Sequence, residues 1–508
     1  MRAPRVIATA IAFCVLATVM TAQAADPTRE AARSAKATGP APAAPPPPIP
    51  CPARARCGTI TVPLDRANPA AGTTRIGYAL ISRRDTSRPS AGVIAANPGG
   101  PGGSAVAQAD MFAATAGDLL DDHELLLMDP RGTGVSGWLD CGVRNDVFTL
   151  RGAPLVEELG RCARTLGDRA RGHTSAAVAD DLDDLRARLG VPRLKLLGLS
   201  YGTYLMTVYA QRHPSRVDAM VLSGAYPLAF DPWRRSNAAA VRNAVRRVCE
   251  RDGRCDGDRV LADMGRLAAR LRHRPIPYQV TVAGRPRTVL LDEPAFAAVV
   301  YGASGASETG RWGALPAIIR EALRGRPGRL IDLARADLLG TADLSQAGRA
   351  YGLGAALSVI CNDYPKAFDM RASFAARQRQ YLRRRDALPA RAFTPFSAAG
   401  WTDGYSEPDW CLRWPDRTGR TQSAAPPATA APVLVMAGDL DVVTAPGEGR
   451  KAARQFRNAR LVEVPNAGHT PDAEPSGCAA AIVRHFLRHR ETGDTGCLSR
   501  IPAIPVER

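Results

Sequence analysis

Lysine is almost missing from this chain. Among 67 basic residues only Lys36, Lys195, Lys366 and Lys451 are lysines; the rest are arginines, set against 49 acidic residues. The formal net charge is +18, yet aromatic residues make up only 6% of the chain. No dense basic run with interleaved aromatics occurs, so the composition argues against a nucleic-acid partner. The arginines are scattered among alanines and read as solvated surface. Also missing are CxxC pairs and Cys/His clusters at ligand spacing, a GK[ST] after any glycine-rich loop, and internal repeats. After the first twenty residues no apolar run is long enough to cross a bilayer, so no stable membrane insertion is expected. Nothing in the pattern asks for a metal or an organic cofactor.

What is present begins with export. Arg2 and Arg5 precede an apolar run from Val6 to Met20, and Ala22-Gln23-Ala24 has the A-x-A form of a cleavage site. Residues 1–24 are therefore expected to be a signal peptide and the chain to be secreted. Lipid anchoring at Cys14 is disfavoured by the bulky Phe13 before it. Residues 25–50, ending in "GPAPAAPPPPIP", have too few large apolar groups to fold and read as a linker or pro-segment. Ten cysteines follow. Proximity along the chain pairs Cys51 with Cys57, Cys141 with Cys162, Cys249 with Cys255 and Cys478 with Cys497, which leaves Cys361 with Cys411. Zinc ligation is the competing reading of these cysteines.

Beyond Cys51, short apolar runs alternate with helical patterns. Strand candidates are 75–83, 91–97, 124–129, 194–198, 218–224, 431–438 and 459–464. Several lack alternation, as strands covered on both faces do. Thr174 is a candidate N-cap for a helix with Val178, Leu182, Leu185 and Leu189 at helical spacing, ended by Gly190. The rhythm predicts an α/β fold with a doubly wound, mostly parallel sheet. It lapses between about 227 and 425, where helix-like stretches and Trp401, Trp410 and Trp414 predict an inserted, mainly helical cap. The core is thus expected in two parts, 51–226 and 426–508.

Within this frame "LLGLSYGTYL" (196–205) places Ser200 between a strand and a helix, with glycines two residues to either side. A serine exposed on so sharp a turn needs tiny neighbours at those positions; the alternative is a polar gap in a buried strand. A nucleophilic serine also needs amides for its oxyanion. "NPGGPGGS" (97–104) follows a strand and offers them, with the N–H groups of Gly100 and Tyr201 as candidates, though a plain Gly/Pro turn reads the same way. A base must come later in the chain. His469 lies in a loop past the strand 459–464, whereas His485 and His489 belong to a terminal helix. "GDLD" supplies two acids, of which Asp441 is the candidate orienting residue and Asp439 a loop-capping alternative.

With these residues in order, the chain resembles secreted α/β-hydrolases of the tripeptidyl aminopeptidase group, related to the prolyl aminopeptidases. The resemblance runs from Cys51 to Cys497. It rests on "VPLD" (62–65), "NPGGPGGS" (97–104), "MDPRGTGVS" (128–136), "GLSYGTYLMTVYAQRHPSRV" (198–217), "CNDYP" (361–365), "GDLDVVTAP" (438–446) and "AGHT" (467–470). One departure is Leu199, where the group often has a second glycine. The resemblance implies a triad of Ser200, Asp441 and His469, oxyanion donors at Gly100 and Tyr201, and release of a short piece, such as a tripeptide, from peptides with free N-termini. It also implies a cap acid that binds the substrate ammonium. Asp363 is the candidate, with a capping role as its alternative. The protein is expected to be a monomer. An esterase would use the same residues, and a non-catalytic wall-binding protein on this fold is the remaining alternative.

Overall fold

The computed structural model describes residues 48–507 apart from 144–146, 283, 306–308, 347–349, 406–408 and 416–421. All of them fall in one compact unit, Pro46–Arg508. The signal-peptide reading and nearly all of segment 25–50 lie outside the described residues.

Eight strands form one sheet. In chain order they are β1 (Ala55–Pro63), β2 (Thr73–Ile81), β3 (Val93–Asn97), β4 (Glu124–Met128), β5 (Leu194–Leu199), β6 (Val217–Ser223), β9 (Val433–Gly438) and β10 (Ala459–Val464); β7 (Ile276–Val282) and β8 (Arg285–Leu291) pair separately. The spatial order is β1-β2-β4-β3-β5-β6-β9-β10. β2 is antiparallel to both its neighbours, and every pairing from β4 to β10 is parallel. Parallel strands need crossover connections, and their helices cover both faces. Successive residues of the central strands accordingly feed two cores: Leu196, Met220 and Val435 on one side, Leu197, Val221 and Leu434 on the other. Each such leucine, fully buried, contributes roughly 1.5–3 kcal/mol. This is why the central strands read as unbroken apolar runs.

The predicted helix forms at Ser175–Arg188, and Thr174 caps it by accepting from the Ala177 amide at 3.1 Å. All five expected disulfides are present, including Cys361–Cys411 across 50 residues.

Two features depart from expectation. β1 is not among the strand candidates; it is an edge strand carrying Arg56 in which only Val62 is buried, so it lacks the apolar run of its neighbours. The inserted region between β6 and β9 holds eight α-helices among the described residues, but also the hairpin β7–β8. Its Tyr278, Val280 and Val282 alternate inward.

Parallel strands β3, β5, β6, β9 and β10 end on the same side of the sheet. The loops that follow these ends hold every residue of the site, as open α/β sheets dictate.

Candidate active site

Ser200 has φ 54° and ψ −123°, between the end of β5 and the helix Tyr201–Arg212. A non-glycine residue in this region is strained and persists only where its surroundings enforce it. The flanking glycines are what allow the bend. A Cβ on Gly198 would stand 2.5 Å from the Gly202 carbonyl oxygen, and one on Gly202 would strike the carbonyl oxygen of Asn97. The Ser200 amide donates to the Ser223 carbonyl at the end of β6, at 3.0 Å.

The glycine-rich loop after β3 lies directly against this turn. A Cβ on Gly99 would be 2.8 Å from the Tyr201 nitrogen and 3.0 Å from the Ser200 Cβ. Asn97 opens the loop by accepting from the Gly99 amide at 3.0 Å. Ser104 closes it by donating to the buried Asp129, which also accepts from the amides of Val106 and Val135. Burial pushes Asp129 up to about 6, against the pull of these donors. Among the described residues, neither the Gly100 nor the Tyr201 amide donates to a protein acceptor. Two unpaired N–H groups beside Ser200 are what an oxyanion requires.

Asp441 is fully buried after β9 and gathers four donors. The amides of Val443 (2.7 Å) and Thr444 (2.9 Å) reach Oδ1; the Thr444 hydroxyl (2.6 Å) and His469 Nδ1 (3.0 Å) reach Oδ2. With the Thr444 proton given to Asp441, its oxygen lies 3.1 Å from Nδ1 as a second acceptor. The network therefore puts the neutral ring's proton on Nδ1 and leaves Nε2 basic. The imidazole packs on Gly224, the residue after Ser223. Ser200 and His469 thus rest on consecutive residues of one strand end.

Asp439, the other acid, bonds Arg251 at 2.5 Å and accepts the Asn466 amide at 2.8 Å, which ties β9 to the histidine loop. His485 and His489 lie in the helix Cys478–His489, their rings tilted against each other at 4.6 Å.

Two family models each match part of the chain: the α/β hydrolase fold over residues 93–264 and a TAP-like protein family over 397–497. The chain is 26% identical to the tripeptidyl aminopeptidase of Streptomyces coelicolor, covering 81% of this chain and 76% of that one. It is 31% identical to carboxylesterase B of Mycobacterium tuberculosis over 85% of this chain and 84% of the relative. A 34% match to the serine protease Hip1 of the same organism spans 35% of this chain and 37% of that protein. The chain belongs to the α/β-hydrolases, with tripeptidyl aminopeptidases among its more distant relatives.

In this hydrolase the inserted region is bonded to each loop of the site. Ser104 donates its amide to Ala350, and Gly352 donates to Gly102 in the glycine loop. Ser304, at the end of the helix Glu293–Gly302, donates its hydroxyl to the Leu440 carbonyl and accepts from the Val442 amide, while its carbonyl takes the His469 amide. Neither Ser304 nor Thr444 was singled out from the sequence; "DVVTAP" follows the acid closely enough to have drawn attention to Thr444, whereas nothing local marks Ser304. Asp363 ends the helix Leu353–Asp363, is 6% exposed, and accepts from the Ser175 amide at 2.6 Å. Ser175 in turn bonds the Tyr201 hydroxyl. That placement suits the capping alternative for this carboxylate.

Proposed function

We propose that the chain is a secreted serine exopeptidase that releases short, tripeptide-like pieces from peptides with free N-termini. The observation that carries the reading is the 3.0 Å bond between Asp441 and His469, set against the same strand end as the strained Ser200. In this mechanism His469 Nε2 takes the Ser200 proton as Oγ attacks the peptide carbonyl. The amides of Gly100 and Tyr201 receive the negative charge. His469 then returns the proton to the leaving amine, and water, activated the same way, releases the acyl group. Asp441 holds the ring and stabilises the imidazolium. Residues 227–425 act as the cap that confines the cleft to chain ends, and five disulfides suit an oxidising compartment.

A carboxylesterase is the second reading, supported by the 31% identical relative of that name. The test compares rates on tripeptidyl and aminoacyl anilides, the same peptides acetylated, and short acyl esters. Preference for free N-termini is expected; ester turnover without peptide turnover would favour the esterase. In either case Ser200→Ala should cut kcat about a thousandfold or more and abolish fluorophosphonate labelling while the protein stays folded.

A further inference from the structure

Asp472 is a buried acid that the triad does not use. It lies three residues past His469 in the turn Pro471–Ala473 and is 3% exposed. Its Oδ1 accepts from the hydroxyl of Ser223, itself fully buried. Ser223 is the residue whose carbonyl holds the Ser200 amide. One residue therefore grips the nucleophile's turn with its main chain and the histidine loop with its side chain.

Among the described residues no arginine or lysine pairs with Asp472. Burial pushes it up to about 6; the Ser223 hydroxyl, its own backbone amide and then the positive charge of His469 pull it down. The charges on the surrounding elements are committed elsewhere. At the end of β9, Asp439 faces Arg251 and Arg247. Glu474 accepts the amides of Ser476 and Ala479. On the helix Cys478–His489, Arg484 and Arg488 bind Asp118, and His485 faces Glu491. Asp218, on β6, pairs with Lys195 and Arg490. From the opposite side Asp441 faces the ring.

A carboxylate buried with so few donors is costly, and a neutral asparagine would accept the same hydroxyl without that cost. What only the carboxylate offers is attraction to an imidazolium. His469 is neutral before attack and charged in the transition state, so the attraction is felt where it accelerates the reaction. We propose that Asp472 is a positioning residue for His469: it ties the histidine loop to the strand end that holds Ser200, and its charge stabilises the imidazolium formed on proton transfer. The proposal rests on the triad reading above.

The experiment is the pH dependence of fluorophosphonate labelling and of kcat/KM for the full chain and Asp472→Asn. Losing a negative charge beside the ring makes it easier to deprotonate, so the acid limb should move down by about one pH unit. The labelling rate at its plateau should fall about tenfold, the scale of one lost charge contact in a transition state. A folded Asp472→Asn with the parental acid limb and rate overturns the proposal and leaves the triad standing. If Ser200→Ala still labels, the triad reading itself fails. Should Asp472→Asn not fold, Ser223→Ala is measured in its place. It frees the carboxylate from its tether, so slower labelling without a downward shift of the limb is expected, and a parental rate overturns the tether.

Discussion

Gly224 and His469 are in direct contact: a Cβ on Gly224 would lie 3.1 Å from Cε1 of the ring and 3.2 Å from Nδ1. Gly224 also has φ +65°, so a side chain there is strained and the ring must give way to it. Gly224→Ala should displace the imidazole from its place beside Asp441. Misplacement of about 1 Å can cost about a hundredfold in rate, whereas the left-handed alanine costs only about 1–2 kcal/mol of stability. A drop in kcat of tenfold or more, with a modest change in the urea midpoint, is expected. Unchanged kcat would mean the ring reacts from some other position.

Thr444 offers a finer test of the same histidine. Its hydroxyl donates to Asp441 Oδ2 at 2.6 Å and stands 3.1 Å from His469 Nδ1. Thr444→Val keeps the shape and removes both contacts, leaving Asp441 one donor short in a dry site. Hydrogen bonds to charged groups are worth about 1.5–3 kcal/mol, which at full expression in the transition state is roughly a tenfold to hundredfold loss of kcat. Thr444→Ser should recover most of it, and KM should hardly move. Equal activity of the valine and serine variants would show that the two amides alone orient the acid.

The sequence announces those parts of the site that depend on local backbone geometry. Gly198 and Gly202 around Ser200 are legible because a sharp turn forbids side chains at fixed offsets, and "NPGGPGGS" is legible for a similar reason. The central strands show themselves because burial on both faces removes polar residues. The choice between Asp439 and Asp441 is different. Both follow β9, and what separates them is long-range: arginines reach Asp439 from the helix Arg235–Asp252, while His469 bonds Asp441. Ser304 meets Leu440 across 136 residues; a contact of that range leaves no periodicity or spacing to read. β1 escaped because an exposed edge strand needs no apolar run, and β7–β8 because their alternation is short and flanked by helices.

Asp363 gives the prediction with a defined pH sign. Its carboxyl is buried against Ser175, and burial pushes it up to about 6 from the ordinary 3.8, with the Ser175 hydroxyl and amide, and then Lys366, only partly offsetting this. A raised value means the folded state holds its proton more tightly than the unfolded chain does. The associated stability is complete below about pH 4 and is lost as pH rises through about 6. A shift of about two units corresponds to about 3 kcal/mol. Asparagine can still accept the Ser175 amide but cannot ionise, so it escapes this loss. The unfolding free energy of Asp363→Asn relative to the parent should therefore improve by up to about 3 kcal/mol between pH 4 and pH 7, measured by urea titration at intermediate steps. A flat difference would mean that the carboxylate is solvated or paired with a cation in the fold. The same variant separates the two readings of this residue. As a cap for the helix Ser175–Arg188 it should leave KM for free and acetylated peptides in the parental ratio, whereas an ammonium-binding acid would raise KM for the free N-terminus alone.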